Sequence, residues 1–511
     1  MADITEGILF TDHYQLTMAQ LYHQSGLAER PSQFEYFFRS YPDYGMHQAG
    51  YCVTAGLEPL LDWMAEARFG DAEREALASI RTPRGTRVFG DPFLDWLCDT
   101  GGFGQVSLRA VPEGRVVHAN VPIVVAEAPL AIAQILETPL LNHMNFATLI
   151  ATKASRVVEA AAGGSVIEFG LRRAPGFGDN TATRSALIGG AMSSSNVGMT
   201  HSLGFTPSGT HAHSMVQVFM AIRGGELEAF RAYAETYPDD CLLLVDTIDT
   251  LESGVPNAII VFEELRRKGH DPVGIRLDSG DLAHLAVRSA RMLDDAGFGD
   301  TRIVLSSGLD ELTIWQVKNQ IAVEAPQYGL DPDRVVRRLV HGVGSKLVTS
   351  DGDSSLGGVY KTVAVGGDEG GWVPAIKISD TPEKVQNPGA KKVWRIYDQR
   401  GFATADVLAL ADEILDVSRT VYLHHPTLPG VTRTLAPSGV SEIEELLVTV
   451  LDRGVRTREP QSIEVARRHR EKDLGRLDPG VRRLVNPHRY HVSLTSALSE
   501  LKRELVAGYA T

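Results

Sequence analysis

From residue 165 to residue 345 the chain repeats one alternation, and no other feature constrains its fold as strongly. A short apolar run rich in β-branched residues is followed by a few Gly, Ser, Asp or Arg residues and then by an amphipathic stretch. That is the pattern of βα units around a parallel sheet. The runs are "SVIEFG" (165–170), "GFTPSGT" (204–210), "CLLLVDT" (241–247), "PVGIRLDSG" (272–280), "TRIVLSS" (301–307) and "VVRRLVHGVGS" (335–345). With Gly170, Thr210, Asp246, Asp278, Ser306 and Gly342 as strand-end markers, the steps are 40, 36, 32, 28 and 36 residues. Steps this regular suit a closed or nearly closed α/β barrel. The intervening helices are plain in "NAIIVFEELRRKG" (257–269) and "LAHLAVRSARMLDDAG" (282–297), each apolar on one face with Gly near its end.

The flanks read differently. Residues 5–25 suggest a helix, and "QFEYFFRSYP" and "QVSLRAVPEGRVVHANVPIVVAEAP" suggest antiparallel strands with a Pro-Glu-Gly turn at 112–114. Strand-like runs return after Ser350 in "GGVYKTVAV", "WVPAIKIS" and "KKVWRIYD". The expected organisation is therefore an N-terminal part over 1–130, the barrel over 131–350, a return to the first domain over 351–437 and a mostly helical segment over 438–511.

Barrel chemistry gathers where strands end, because loops there vary while the packed layers below hold them still. At those ends stand Arg172 and Arg173; Thr210 and His213; Asp246 and Asp249; Arg276, Asp278 and Asp281; Ser306, Ser307 and Asp310; and Gly342 with Gly344. Arg forks bind phosphate or carboxylate, carboxylates hold a hydroxyl or Mg²⁺, and Gly-rich backbone cradles a phosphate. The set suits a substrate with several phosphates and a sugar. Taken singly, "IRLDSGD" could merely cap a helix, and "HGVGS" could be an ordinary turn. The net charge of −14, from 50 Lys plus Arg against 64 Asp plus Glu, argues against nucleic acid or an anionic membrane as partner. Anionic ligands must then be met by locally concentrated cations. Three cysteines without Cys-x-x-Cys spacing suggest neither a disulfide framework nor a thiolate zinc site. The first residues lack a signal-peptide pattern and no apolar run is long enough to span a bilayer, so a cytoplasmic location is expected.

The stretch "GTHAHS" (209–214) leaves two geometries open. If it is extended, His211 and His213 share a face, and with Asp278 and His341 they could form the metal site of a barrel hydrolase. If His213 begins the following helix, its ring enters the barrel mouth while His211 points elsewhere.

Together with "TDHYQLTMA" (11–19), "FEYFFRSYP" (34–42), "EFGLRRAPG" (168–176), "SSSNV" (193–197), "GIRLDSGDLA" (274–283), "GVGSKLVTS" (342–350), "KISDTPEKVQNPGAKKVWR" (377–395) and "NPHRYHVSLT" (486–495), that stretch resembles the nicotinate phosphoribosyltransferase family. The resemblance runs over essentially the whole chain. It implies an irregular α/β barrel of the quinolinate-phosphoribosyltransferase kind beside a sandwich-like α+β domain. It also implies a homodimer in which that domain of one subunit covers the barrel mouth of the other. The implied reaction joins nicotinate to 5-phosphoribosyl 1-pyrophosphate, giving nicotinate mononucleotide and pyrophosphate, coupled to ATP hydrolysis in NAD salvage.

Carried over residue by residue, the resemblance makes His213 the histidine that ATP phosphorylates. It places Tyr14 of the partner and Phe169 around the pyridine ring. Arg172 and Arg276 would face the nicotinate carboxylate and the phosphates, and Asp246, Asp278 and Asp281 the ribose hydroxyls and Mg²⁺. Thr210 lies in the same motif as His213. The loops Ser306–Ser307–Gly308 and Gly342, Gly344 and Ser345 would hold the 5′-phosphate. Arg39, Lys377 and Lys384 would reach pyrophosphate or ATP phosphates across the dimer. Met192 stands where relatives often carry Asp, and 176–183 matches loosely. The nicotinamide-specific relative and a silent nucleotide sensor are the other readings within this fold.

Phosphoribosyl transfer needs little acid–base work. Pyrophosphate departs as positive charge builds at the anomeric carbon, so positioning and fixed charge carry the rate. A histidine, with an ordinary pKa of about 6.5, is partly neutral near pH 7 and can accept a phosphoryl group at nitrogen.

Overall fold

The structure, a computed structural model, describes residues 4–379, 381 and 384–509. Three positions of the 377–395 stretch, 380, 382 and 383, therefore lie outside the described residues. The chain forms two compact units: one runs to Leu149 and resumes at Ser355, and the other spans Ile150–Ser354. These limits differ from the expected 130 and 350. The first falls inside the helix Glu137–Ala161, where no turn signal could mark it.

The second unit holds six parallel strands: β1 (Ser165–Glu168), β2 (Ser193–Ser194), β3 (Leu242–Leu244), β4 (Gly274–Leu277), β5 (Arg302–Leu305) and β6 (Leu339–Val343). Their order is β2-β1-β6-β5-β4-β3, and every neighbouring pair is parallel. Among the described residues no ladder joins β2 to β3. Five of the six expected runs contain a strand. "GFTPSGT" does not; its place in the ladder is taken by the two residues of β2. Pro207 has no N–H to give a ladder, and Ser208 sends its own N–H to Ser194 O at 2.9 Å.

Side chains alternate across a strand, and the register makes that alternation functional. Ile167, Val304 and Val340 pack together on one face, with Phe169 and Leu242 against them. Val166, Leu243, Ile275, Ile303, Leu305 and Leu339 are buried on the other face. The helices that follow the strands include α1 (Gly178–Ile188), α2 (His213–Ile222), α3 (Val255–Arg267), α4 (Leu282–Asp295) and α5 (Glu311–Glu324). Gly269 and Gly297, both in the left-handed region, end α3 and α4 where the sequence places them.

The first unit contains two larger sheets. One has seven strands in the order Trp372–Pro374, Gly358–Gly366, Pro31–Phe38, Val124–Pro129, Ser107–Ala110, Val448–Asp452 and Val455–Arg456, all antiparallel. The other has six strands and is antiparallel except where Ala403–Leu410 meets His491–Leu494. The first helix begins at His13 rather than at residue 5. A second correction concerns the tail: "EIEELLVTVLDRG", expected as helix, forms the strands Glu442–Glu445 and Val448–Asp452, so residues 438–511 are not mostly helical. Glu and Leu favour helix locally, but Glu444 is drawn into the sheet by a two-pronged bond from Arg115 (3.0 and 2.9 Å) and by the Tyr397 hydroxyl (2.7 Å). Tertiary partners outweigh propensities of a few tenths of a kcal/mol. No helix among the described residues is long and apolar enough to cross a membrane.

Candidate active site

The face that carries Ile167, Val304 and Val340 continues through Arg276 and Gly342 and past the strand ends as Phe169, Asp246, Asp278, Ser306 and Gly344. All keep the same parity. Phe169, Arg172, Arg173, Arg276, Asp278, Ser306, Ser307, Gly308, Gly342, Gly344, Ser345 and Lys346 line one cleft of about 190 Å³ within the second unit.

Its floor is a tight polar knot. Arg276 donates from Nε to Ser306 Oγ at 2.9 Å and from a terminal nitrogen to Asp278 Oδ1 at 3.0 Å. The Ser306 hydroxyl also bonds Asp278. The guanidinium lies 5.5 Å from the Phe169 ring centroid, in cation–π range. That ring rests on Gly342, where a Cβ would sit 2.5 Å from two ring carbons. Only glycine admits the ring there. Ser307 and Gly308 are successive left-handed residues after β5 (φ 86° and 63°). A serine in that region is strained, and such strain concentrates at ligand-binding loops. Arg172 is exposed on the rim and makes no ion pair among the described residues.

Asp246 sits beside the knot. Its side chain is 2% exposed, and its Oδ2 accepts the Asp278 N–H at 3.1 Å and a bond from the Ser279 hydroxyl. Oδ1 has no hydrogen-bond partner among the described residues. His213 is the first residue of α2. Its Nδ1 is 3.1 Å from Thr247 Oγ1, and its Nε2 lies 3.8 Å from Asp246 Oδ1 and 3.9 Å from Asp278 Oδ2. The ring therefore faces the two carboxylates without a hydrogen bond to either and is 37% open to solvent.

His211 is of another kind. It is buried, its Nε2 accepts the Leu244 N–H at 3.1 Å, and it packs on Tyr233 and Phe230. Burial holds its pKa down to about 4. His341 occupies the helix-side face of β6, opposite Gly342, with Nδ1 3.3 Å from Ser165 O and a pKa also lowered by burial to about 4. The constellation a metal-dependent hydrolase would need is thus not assembled. Among the described residues no group of three or more His, Cys, Asp or Glu side chains could hold a metal.

Three acidic residues expected near the chemistry do something else. Asp281 caps α4 through the His284 N–H (3.1 Å), and Gln320 donates to both its oxygens. It stands three residues beyond the inward position of Asp278, at a helix start, and its carboxylate is engaged there rather than turned into the cleft lining. Asp249 likewise accepts the Leu251 and Glu252 N–H groups, and Asp310 the Thr313 N–H and a bond from Lys346 (2.7 Å). Thr210 uses its hydroxyl on Leu242 O at 3.1 Å, supporting the segment before His213.

The remaining expected residues belong to the first unit. Tyr14 is exposed in the helix His13–Gln24. Arg39 and Lys384 line one small cavity with Glu35, Phe37, Asn120 and Asn387. Lys377 is exposed and is not among the residues lining that cavity. Met192, in the second unit, is exposed as well.

Sequence reasoning missed a buried polar group directly behind Phe169. Glu168 and Asp179 are both fully buried and meet through Thr183, whose Oγ1 is 3.1 Å from Glu168 Oε2 and 3.1 Å from Asp179 Oδ2. Burial raises the pKa of each, and for Glu168 the neighbouring Asp179 adds to the rise. Their only sequence signal is a charged residue ending an otherwise apolar strand.

Family comparisons accord with this geometry. The profile described as the nicotinate phosphoribosyltransferase (NAPRTase) N-terminal domain matches residues 9–145, and that of the C-terminal domain matches 390–502. The nicotinate phosphoribosyltransferase of Bacillus subtilis is 38% identical over 489 residues, covering 95% of this chain and 92% of that one. The Homo sapiens enzyme of the same name is 32% identical over 553 residues, covering 98% and 97%. The crystal structure of human nicotinic acid phosphoribosyltransferase superposes with a TM-score of 0.78 at 30% identity, over 97% of this chain and 99% of that chain. That of nicotinate-nucleotide pyrophosphorylase from Pyrococcus furiosus shares the fold, with a TM-score of 0.65 at 20% identity over 94% and 97%.

Proposed function

The chain belongs to the nicotinate phosphoribosyltransferase family, and from that premise we propose that its cleft joins nicotinate to 5-phosphoribosyl 1-pyrophosphate with ATP consumed through His213. The products are nicotinate mononucleotide and pyrophosphate, a step of NAD salvage. One observation carries the reading: Phe169, Arg276, Asp278, Ser306 and Gly342 converge on one cleft, and His213 stands beside it with Nε2 3.9 Å from Asp278 and 3.8 Å from Asp246.

Phe169 offers one face of a ring platform, and Arg172, exposed and without an ion pair among the described residues, offers its fork to the carboxylate of nicotinate. The Ser307–Gly308 and Gly342–Ser345 loops turn toward the same cleft and suit the 5′-phosphate. Arg276, held by Ser306 and Asp278, cannot swing away, so its charge costs little reorganisation as the leaving group develops. Asp246 and Asp278 would hold Mg²⁺: the orphaned Asp246 Oδ1 lies near His213 with Asp278 beside it, and two carboxylates plus substrate phosphates are the usual Mg²⁺ set. The ion would offset charge on the departing pyrophosphate.

For His213, Thr247 fixes one ring nitrogen and leaves the other facing Asp246 and Asp278. A ring so oriented, and open to solvent, suits attack on the γ-phosphate of ATP. The parity of the inward residues supports reading the six-stranded sheet as the wall of an irregular barrel. A homodimer is supported by α2, an apolar helix whose Val218, Met220 and Ile222 are exposed. Tyr14, Arg39, Lys377 and Lys384 would then serve the partner's cleft.

Incubation with nicotinate and 5-phosphoribosyl 1-pyrophosphate is expected to yield nicotinate mononucleotide by mass spectrometry, with more at equilibrium when ATP is present. Nicotinamide in competition is expected to be used far less, because it offers Arg172 no carboxylate. Preference for nicotinamide would end that role for Arg172.

A further inference from the structure

We propose that Glu168, seated in a buried network with Asp179, Thr183, Ser194 and Asn196, is the positioning residue that fixes the Phe169–Arg172 segment for the pyridine carboxylate. The inference rests on the nicotinate reading of the cleft. Glu168 ends β1, and its side chain turns away from the cleft while Phe169 turns into it. Its Oε1 accepts the N–H of Gly170, and its Oε2 accepts the hydroxyls of Thr183 and Ser194. Its own carbonyl accepts the Ser195 N–H at 2.9 Å, and the Phe169 N–H reaches Val343 O at 2.8 Å. The chain is thus gripped on both sides of Phe169. At Gly170 there is no slack, since a Cβ there would lie 2.3 Å from Val348 and 2.8 Å from Glu168 Oε1. The grip decides where the next turn sends Arg172.

The donors also show what form the grip takes. Thr183 has one hydroxyl proton and stands 3.1 Å from each carboxyl group, so it can donate to only one of them. Asn196 Nδ2 supplies Asp179 Oδ2 at 3.3 Å, while Asp179 Oδ1 has no hydrogen-bond partner among the described residues. Burial favours the uncharged form of both acids. What Glu168 contributes is reach and acceptor geometry, a carboxyl long enough to meet Gly170, Thr183 and Ser194 at once. Glutamine at 168 keeps both, accepting the Gly170 N–H with its amide oxygen while Thr183 and Ser194 rotate to accept from its NH₂. Aspartate keeps the carboxyl group and loses the reach.

The test is steady-state kinetics of the full-length enzyme with nicotinate and 5-phosphoribosyl 1-pyrophosphate varied separately. For Glu168→Asp the KM for nicotinate is expected to rise roughly 10- to 100-fold, the size of a lost bond to a carboxylate. The KM for 5-phosphoribosyl 1-pyrophosphate and kcat at saturating nicotinate should stay within about 3-fold. Glu168→Gln should behave like the wild type. If Gln is as damaging as Asp, or if Asp raises both KM values together, the inference is overturned. Retained kcat at saturation reports that each variant is folded. Should the wild-type protein fail to turn over nicotinate, the nicotinate reading itself falls; should it succeed while both variants match it, only the positioning role falls.

Discussion

At the scale of single residues, two histidines two positions apart part company. His213 starts a helix and stands beside Asp246 and Asp278 at the edge of the cleft, whereas His211 is buried with its ring accepting a backbone N–H from β3, and burial lowers its pKa. Sequence narrowed this pair to two geometries but could not choose, since the choice depends on where the helix begins. His213→Asn is expected to abolish the acid-labile phosphoenzyme formed with labelled ATP, whereas His211→Asn should still label if it folds. Equal labelling of His213→Asn would remove the phosphohistidine from the account. Gly342→Ala would press a methyl group into the Phe169 ring. Overpacking of this kind costs about 1–3 kcal/mol, so the KM for nicotinate should rise on the order of 10-fold in the same kinetic assay. Glu168 was illegible because nothing in "SVIEFG" distinguishes a strand-end carboxyl that grips its own loop from one that faces water.

At the scale of elements, the spacing of strand ends located the cleft, and it did so because parity repeats from strand to strand. Phe169, Asp246, Arg276, Ser306 and Gly342 share a face for the same reason that Ile167 and Val304 do. What spacing could not separate was the inward carboxylates from those three residues further on, which cap helices. Asp281→Ala is expected to lose a cap worth about 1 kcal/mol, seen as a melting temperature lowered by a few degrees, with kcat and the Mg²⁺ requirement unchanged. A weakened Mg²⁺ response would instead return Asp281 to the site. The helix α2 tests the dimer: Ile222→Asp places a charge on its exposed apolar face, and sedimentation velocity should show a shift from dimer to monomer. An unchanged dimer would move the interface elsewhere. The strands at 442–452 were read as helix because local propensity was all the sequence offered, while the Arg115 bond to Glu444 is made by a residue more than 300 positions away.

At the scale of the molecule, stability carries a pH signature of the second unit. His211 and His341 are held at about 4 in the folded chain, against about 6.5 when unfolded. Their folded pKa values are depressed, so stability is full above the unfolded value and is lost as pH falls through the window down to about 4. Within it each costs about 1.4 kcal/mol per pH unit. Urea midpoints should therefore fall between pH 7 and pH 5, and less so in His341→Gln if that variant folds. The two-unit division follows from sequence only in outline, since the helix Glu137–Ala161 runs through one boundary without a break. The central claim, that the cleft at the strand ends makes a nucleotide from nicotinate, is tested most directly by mass spectrometry. Purified protein with nicotinate, 5-phosphoribosyl 1-pyrophosphate, Mg²⁺ and ATP should accumulate nicotinate mononucleotide in step with pyrophosphate, and Arg276→Ala should not. No nucleotide from the wild-type protein, or equal accumulation by Arg276→Ala, would contradict the account.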